Sequence, residues 1–487
     1  MPIRRGEEYL ESLRDGRCLW LMGQRVEDVT THPALAGCAR SVADVYDLQY
    51  DAAHQELLTM PSPATGQPVS LAYLLPQSVD DLARQRHMYE FLVRRAGGVA
   101  ARLPQHLATV AIGLYDVRDL LGEADPDFAE RVVRYFEYCR ENDYSIATIF
   151  SDPLHHRSHS TSHPEPLHVV ATHPDGIVVR GARGVGTQSP YANELLCLTS
   201  PQPHRPPEEM VYFATPVNTE GIHVICRESF TASNPADHLV SAAWDEMDAI
   251  VVFHDVFIPW ERVFYLRRSP DPDLAFEGQV FQGAIGLGPW YVLVRLAVKA
   301  EVLLGMCAAL TNSLGTAAQP LVQTALADVM VYLETLRAFI QAAEANPVRS
   351  PSGLALPNPS TALAGRIVSI ERYPQMLQLI RELCGSGLLM APSQADLHHP
   401  EIGPHLRRHV VGEDAEGAER LRLLKLAWDY ACDSFGSRQL LFEMYNVGSL
   451  ATNKQRLASS YDTSPCVSLA KDLAGITRQG AKGGQAS

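Results

Sequence analysis

No two cysteines in this chain stand as C-x2-C or C-x4-C. The nine present (Cys18, Cys38, Cys139, Cys197, Cys226, Cys307, Cys384, Cys432 and Cys466) are scattered and odd in number. Neither a disulfide framework nor a zinc or iron–sulfur centre is suggested, and most of these thiols read as small buried hydrophobes. No run of five or more Lys/Arg occurs, and 41 Lys+Arg against 56 Asp+Glu leave a net charge of −15. A polyanion-binding surface would work against that field, which excludes nucleic acid as the expected partner. GxSxG and GxxxxGK[ST] are both absent, so nucleophile-elbow hydrolases and P-loop enzymes have no support. The N-terminus is charged from its fourth residue and has no apolar core segment, which argues against a secretory signal and for a cytoplasmic protein. The uncharged stretch Val302 to Ala327 carries Thr311, Asn312, Ser313, Gln319, Pro320 and Gln323, and reads as buried helix rather than a membrane span.

What is present is ordinary globular composition: 487 residues, 46% hydrophobic and 20% charged, enough for two or three domain-sized cores. Period and punctuation divide the chain. In residues 1–145 the signals are helical: Ser78 followed by Asp80 and Asp81 offers an N-cap, Gly97-Gly98 breaks the helix it starts, Pro104 sits in the first turn of the next, and Asp125 caps another. In residues 146–270 six β-branched or aromatic runs, LHVVATH, GIVVRGARGV, ELLCLTS, MVYFATPV, GIHVICRES and AIVVFHDVFIP, predict a sandwich or barrel. Residues 271–460 return to helical period. PWYVLVRLAVKAEVLLGMCAAL is apolar on most faces, with only Arg295, Lys299 and Glu301 interrupting, so it belongs inside a four-helix-type bundle or at a subunit interface. Residues 461–487 form a tail, frayed from Thr477 on. Helices on both sides of a β-domain make an α+β chain in the order of the acyl-CoA dehydrogenase architecture.

Four local features invite chemistry, each with a plainer reading beside it. The run HHRSHSTSH (155–163) holds four histidines but no carboxylate or thiol, and a polar loop explains it better than a metal site. The fragment GARGVGTQS (181–189) contains GxxGxG without a βαβ unit; tight bends explain its glycines, and Thr187 and Ser189 supply hydroxyls to whatever lies above. Asp245-Glu246-Met247-Asp248 is either a carboxylate cluster for acid–base work or Mg²⁺, or a solvated turn before a strand; the second reading is preferred. Arg102 and His106 stand one helical turn apart at a helix start, where anionic groups are favoured, although a surface arginine and a packed neutral histidine account for them better.

Seven collinear fragments then point to one family: GEEYLESLRDGR (6–17), RVEDVTTHPA (25–34), DPLHHR (152–157), DAIVVFHDVFIPWERVF (248–264), VRLAVKAE (294–301), SGLLMAPS (386–393), and LKLAWDYACDSFGSR with YNVGS (424–449). Together they resemble the oxygenase component of the two-component 4-hydroxyphenylacetate 3-monooxygenases. The resemblance implies an acyl-CoA-dehydrogenase-like fold, usually a homotetramer, and a cytoplasmic flavoprotein hydroxylase without a metal. It implies reduced FAD (FADH₂) taken from a separate NAD(P)H:flavin reductase, which reacts with O₂ to a C4a-hydroperoxide that oxygenates a phenol-type ring. By position it puts flavin contacts on Leu154, His155, His156, Arg157, Thr187, Asn446, Val447, Gly448 and Ser449, and a substrate-covering loop on Thr199 and Ser200. The family grips the phenolic oxygen with an Arg, a Tyr and a His; here these positions are Arg102, His106 and Thr148. The substrate grip is therefore rebuilt, with the expectation that His106 replaces the missing histidine as the group that orients or deprotonates the acceptor, Arg102 holding the oxyanion. The rebuilt grip favours specialised biosynthesis over degradation, and leaves the aromatic substrate open between free and carrier-bound. N-oxygenation of an amine is the alternative, and an acyl-CoA dehydrogenase-type reaction a weaker one because no catalytic carboxylate can be placed.

Overall fold

Local signals start most of the helices where they are expected. The computed structural model describes residues 2–152, 165–231, 234–412 and 415–476. Helix α1 (Gly6–Ser12), strands β1 (Leu19–Leu21) and β2 (Gln24–Val26), and helix α2 (Ala36–Asp47) come first. Helix α3 (Val79–Arg95) begins where the Ser78 hydroxyl accepts from the Asp81 N–H at 3.1 Å. It ends at Gly97 and Gly98, whose φ angles of 57° and 80° lie in the left-handed region. Helix α4 (Pro104–Asp116) opens on proline, and α5 (Pro126–Asn142) is capped by the Asp125 carboxylate.

Next come β3 (Ile146–Ile149), β4 (His168–His173), β5 (Gly176–Arg183), β6 (Glu194–Leu198), β7 (Val211–Pro216), β8 (Ile222–Cys226), β9 (Ala249–Pro259) and β10 (Val263–Leu266). They form two sheets, ordered β2-β1-β8-β9-β5-β4 and β10-β7-β6-β3. All neighbours are antiparallel except β1 with β8 and β3 with β6. Phe213 of β7 meets Phe253 of β9 edge-on at 5.8 Å, so the two sheets pack through apolar side chains. The six expected strands are all present. The sheet also recruits β1 and β2 from the N-terminal segment, so that segment is not purely helical.

The C-terminal part holds α6 (Leu274–Ala284), α7 (Gly288–Ser313), α8 (Pro320–Ala345), α9 (Pro359–Cys384), α10 (Ala415–Ala431), α11 (Ser434–Tyr445) and α12 (Leu450–Ser460). The uncharged stretch from Val302 to Ala327 is not one helix: it runs out of α7, turns between residues 314 and 319, and enters α8. Among the described residues no helix is long and apolar enough to cross a membrane. Within the expected tail, Ser464–Leu473 is a helix with no buried residue; residues 477–487 lie outside those described.

Helix α7 packs on α3, α8 and α9 and is buried along most of its length, as its apolar circumference requires. Its two internal cations are wholly inside. Arg295 donates to both carboxylate oxygens of Glu443 on α11 (2.6 and 2.5 Å), and Lys299 donates to Glu443 Oε1 and to Gln439 Oε1, each at 2.9 Å. Arg366 on α9 donates to the carbonyls of Glu443 (2.6 Å) and Asn446 (2.7 Å) at the end of α11. The Gly-Gly bend is tied to the same lattice. Arg295 also donates to the Gly98 carbonyl, Tyr430 to that of Gly97 and Gln439 to that of Val99. A Cβ on Gly98 would lie 2.5 Å from the Lys299 side chain, so the close approach needs glycine.

Burial works against the Glu443 charge, yet Arg295 and then Lys299 hold its carboxyl far below the ordinary range. An unfolded chain, with a glutamate pKa of about 4.3, therefore binds more protons than the folded one below about pH 5, and stability falls as pH falls there. We expect Glu443→Gln to lose about 3–5 kcal/mol at pH 7, the cost of leaving buried cations unpaired. Urea denaturation at pH 7 and again near pH 4 should show the gap to the unsubstituted protein narrowing with acid.

Candidate active site

A cavity of about 1280 Å³ opens between the β-sheets and the C-terminal helices, with the start of α4 on one wall and α11 on the other. Arg102 occupies its polar end. The Arg102 backbone N–H donates to a Glu246 carboxylate oxygen, its Nη1 lies 2.9 Å from His106 Nε2, and its Nη2 donates to Asn446 Oδ1 at 2.8 Å. The four-residue spacing from Arg102 to His106 across the helix start places the two side chains together. The imidazole lies flat on Tyr291, with ring centroids 3.6 Å apart.

An arginine only donates, so the Nε2 lone pair is the acceptor in the Arg102 contact and the His106 proton resides on Nδ1. That nitrogen is buried with no hydrogen-bond partner among the described residues. Burial, then the positive charges of Arg102 and Arg295, push the imidazole well below its ordinary pKa, so it is neutral at physiological pH. Of the two roles expected for His106, this arrangement favours orienting over deprotonating, because the lone pair that would take a proton already holds Arg102. Burial lowers Arg102 to about 10, which leaves it charged at neutral pH. Thr148 on β3 is in the cavity wall, 6% exposed, and its hydroxyl has no partner among the described residues.

The segment Asp245-Glu246-Met247-Asp248, expected as a solvated turn, is instead inside the protein: Asp245 is 1% and Glu246 0% exposed. Two arginines compensate it. Arg438 on α11 grips Asp248 through Nε (2.8 Å) and Nη2 (2.7 Å) and reaches Glu246 at 3.4 Å. Arg227 bonds Asp245 at 2.6 Å and Asp248 at 3.0 Å. Burial alone would raise Asp248, but Arg438 and Arg227 hold it well below the ordinary carboxylate range; Glu246, deeper still, is raised by burial. Arg227, Arg438 and Asp248 all line the cavity. Sequence reasoning assigned none of them a role, although Arg438 ends a fragment shared with the family.

The residues expected to touch flavin divide. Thr187 lines the cavity, its hydroxyl donating to Asp248 at 2.7 Å. Asn446, Val447 and Gly448 line it too, with φ of 59° and 97° at the last two making a tight left-handed bend. Ser449 is the N-cap of α12, its hydroxyl accepting from the Thr452 N–H. Leu154, His155, His156 and Arg157, with the rest of the histidine run, lie outside the described residues. Of the expected substrate loop, Ser200 is in the wall, whereas Thr199 is 1% exposed, its hydroxyl accepting from Arg183 and donating to the Val211 carbonyl. Those bonds fasten the loop.

Arg456, also missed, is a half-buried cavity residue. Among the described residues it forms no ion pair, its Nε is unpartnered, and its Nη1 touches only the Val447 carbonyl and Asn453. At the far end of α11, His238, Asp429 and Asp433 bring three ligand-type atoms within 4.8 Å of one another. Asp429 already accepts from the Val240 and Ser241 N–H groups, and Asp433 caps α11 through the Gly436 N–H. Burial raises Asp433 to about 7.

The fold, two sheets flanked by helices over a cavity with uncommitted cations, defines a helix–sheet–helix enzyme class. Two family profiles, described as 4-hydroxyphenylacetate 3-hydroxylase N terminal and C terminal, match residues 5–265 and 282–475. The 4-hydroxyphenylacetate 3-monooxygenase oxygenase component of Geobacillus sp. (strain PA-9) is 35% identical over 96% of this chain and 95% of its own. The oxygenase component of 4-nitrophenol 4-monooxygenase/4-nitrocatechol 2-monooxygenase of Rhodococcus opacus is 33% identical over 91% and 85%. A crystal structure of the oxygenase component of 4-hydroxyphenylacetate 3-monooxygenase, complexed with FAD and 4-hydroxyphenylacetate, superposes with a TM-score of 0.90 at 32% identity, covering 97% of this chain and 98% of that one. The chain belongs to the 4-hydroxyphenylacetate 3-hydroxylase family.

Arg438→Leu should leave Asp248 and Glu246 buried with one cation fewer, and we expect a loss of about 3–5 kcal/mol at pH 7. The freed carboxyls then prefer protonation in the folded state, so thermal melts should show the deficit shrinking toward pH 5.

Proposed function

We propose that the chain is the oxygenase component of a two-component, FADH₂-dependent monooxygenase that hydroxylates a phenol-type aromatic acceptor. The reduced flavin comes from a separate NAD(P)H:flavin reductase. The observation that carries this reading is Arg102, held charged in the wall of the cavity by two neutral acceptors, His106 and Asn446. A fixed cation suits an acceptor with an anionic oxygen and repels an ammonium, which favours phenol oxygenation over N-oxygenation.

The residues fit a flavin. The cavity exceeds the roughly 300–1,000 Å³ usual for small-ligand clefts, leaving room for a cofactor beside its acceptor. Arg456 and the N-terminus of α12 favour a phosphate, while Phe281, Ile285 and Trp428 give apolar wall against which a planar ring can lie. Thr148 and the backbone of Val447 and Gly448 supply polar atoms to the wall. When bound, the reduced flavin supplies two electrons to O₂, one oxygen atom going to the aromatic ring and the other to water. The chain's own part is to orient the acceptor through Arg102, to exclude water with the apolar wall, and to keep the site's carboxylates neutralised by Arg227 and Arg438. A homotetramer belongs to the same proposal. Leu441 and Tyr445, 56% and 61% exposed on α11, also line the cavity, so a neighbouring copy seated there would complete the dry wall.

With reductase, NAD(P)H, FAD and O₂, mass spectrometry across a panel of phenols should find products heavier by one oxygen atom. Arg102→Met should cut product formation by about 10²-fold or more while hydrogen peroxide rises. Arg456→Gln should weaken retention of reduced FAD by roughly 10- to 100-fold, the value of a charge-assisted contact of about 1.5–3 kcal/mol. If reduced FAD is oxidised at the same rate with and without the protein and no phenol is oxygenated, the proposal is wrong.

A further inference from the structure

We propose that this site receives its acceptor as a preformed phenolate, and so acts on phenols acidified by electron-withdrawing ring substituents, with His106 as the positioning residue for Arg102. This rests on reading the chain as a phenol monooxygenase and names the class of phenol.

Three features of the cavity converge. First, both terminal nitrogens of Arg102 are held by uncharged acceptors, and among the described residues no carboxylate pairs with its guanidinium; Glu246 meets only its backbone N–H. A guanidinium so held keeps its full charge for an incoming anion. Second, His106 spends its Nε2 lone pair on that grip, and a proton added to it would sit beside Arg102 and Arg295, with Tyr291 stacked beneath. Third, Thr148 offers a hydroxyl, unpartnered among the described residues, that donates to an oxyanion but does not accept the proton of a phenol near neutrality. The other groups facing Arg102 are committed. Glu246 is shared with Arg438, Arg295 is paired with Glu443, and burial keeps the Tyr291 hydroxyl neutral. The raised carboxyl of Asp433 also lines the cavity, but at the opposite end of α11, a twelve-residue helix of ~18 Å, from the Asn446 that holds Arg102.

An anion receptor of this kind discriminates by acidity. An unsubstituted phenol, with a pKa of about 10, is roughly 0.1% ionised at pH 7, so it binds about a thousandfold more weakly than a phenol of equal shape ionised at that pH.

The test uses the full-length oxygenase alone and 4-nitrophenol, whose anion is distinguished from the neutral form by its visible absorbance. Bound 4-nitrophenol should show the anion spectrum at pH 6. Its apparent Kd should rise tenfold for each pH unit below the free ligand's own pKa, and 4-methylphenol should bind at least 100-fold more weakly at pH 7. His106→Gln, whose amide oxygen can still accept from Arg102, should retain anion binding, whereas His106→Phe and Arg102→Met should lose it. A neutral spectrum for the bound ligand at pH 6, or equal affinity for 4-methylphenol, overturns the proposal. So does normal anion binding in Arg102→Met. Turnover is read separately: anion binding without oxygenated product from any phenol counts against the monooxygenase reading and leaves the receptor intact. Oxygenation of 4-methylphenol with kcat/KM matching that of 4-nitrophenol does the reverse.

Discussion

Glu443 carries a full negative charge into a helical core where no water solvates it, and it stays there because α7 brings Arg295 and Lys299 to the same place. Neither side tolerates loss of the other, since a lone buried charge costs several kcal/mol. The geometry of the cavity follows from this bond. It fixes α11 against α7, Arg366 then takes the last carbonyls of α11, and Asn446 is delivered to Arg102 at the mouth of α4. The Gly97-Gly98 bend, held by Arg295 and Tyr430 from two helices, sets where Arg102 leaves the backbone. A contact deep in the bundle thus determines the direction of a guanidinium more than one helical turn away.

The cavity sorts its cations into two kinds. Arg227 and Arg438 are saturated by Asp245, Asp248 and Glu246, and act as rivets between the β-sheets and α11. Among the described residues the guanidinium groups of Arg102 and Arg456 are hydrogen-bonded only to neutral partners, so their charge remains available to whatever enters. Uncommitted charge in a low-dielectric wall is costly to the empty protein and rewarding to an anionic ligand. This division is what suits the site to an anionic cofactor and an anionic acceptor together.

Much of this was legible in the residue order, because local chemistry controls it. Ser78, Pro104 and Asp125 start helices through their own side chains or ring, and six β-branched runs pair as strands whatever their neighbours do. The parts that escaped depend on distant partners. β1 and β2 are too short to announce themselves; β1 becomes a strand by joining β8, and β2 by pairing with β1. Asp245-Glu246-Met247-Asp248 has the composition of a solvated turn, and only Arg438, some 190 residues later, makes its burial tolerable. Thr199 sits on a loop matched to a substrate cover, but its hydroxyl bonds Arg183 and Val211. The clearest case is His106, placed correctly in the cavity wall yet left open between orienting and deprotonating the acceptor. Its protonation depends on which nitrogen meets Arg102, and that is set by three-dimensional contact rather than by the i,i+4 spacing.

The account stands most directly on the state of that one imidazole. Nitrogen-15 NMR of the ¹⁵N-histidine-labelled protein, with the His106 signals assigned by comparison with His106→Gln, reports both tautomer and charge. The structure predicts a neutral ring protonated at Nδ1, with Nε2 shifted by its bond from Arg102, and no titration between pH 5.5 and 9. A ring that titrates near 6.5, or carries its proton on Nε2, would contradict it.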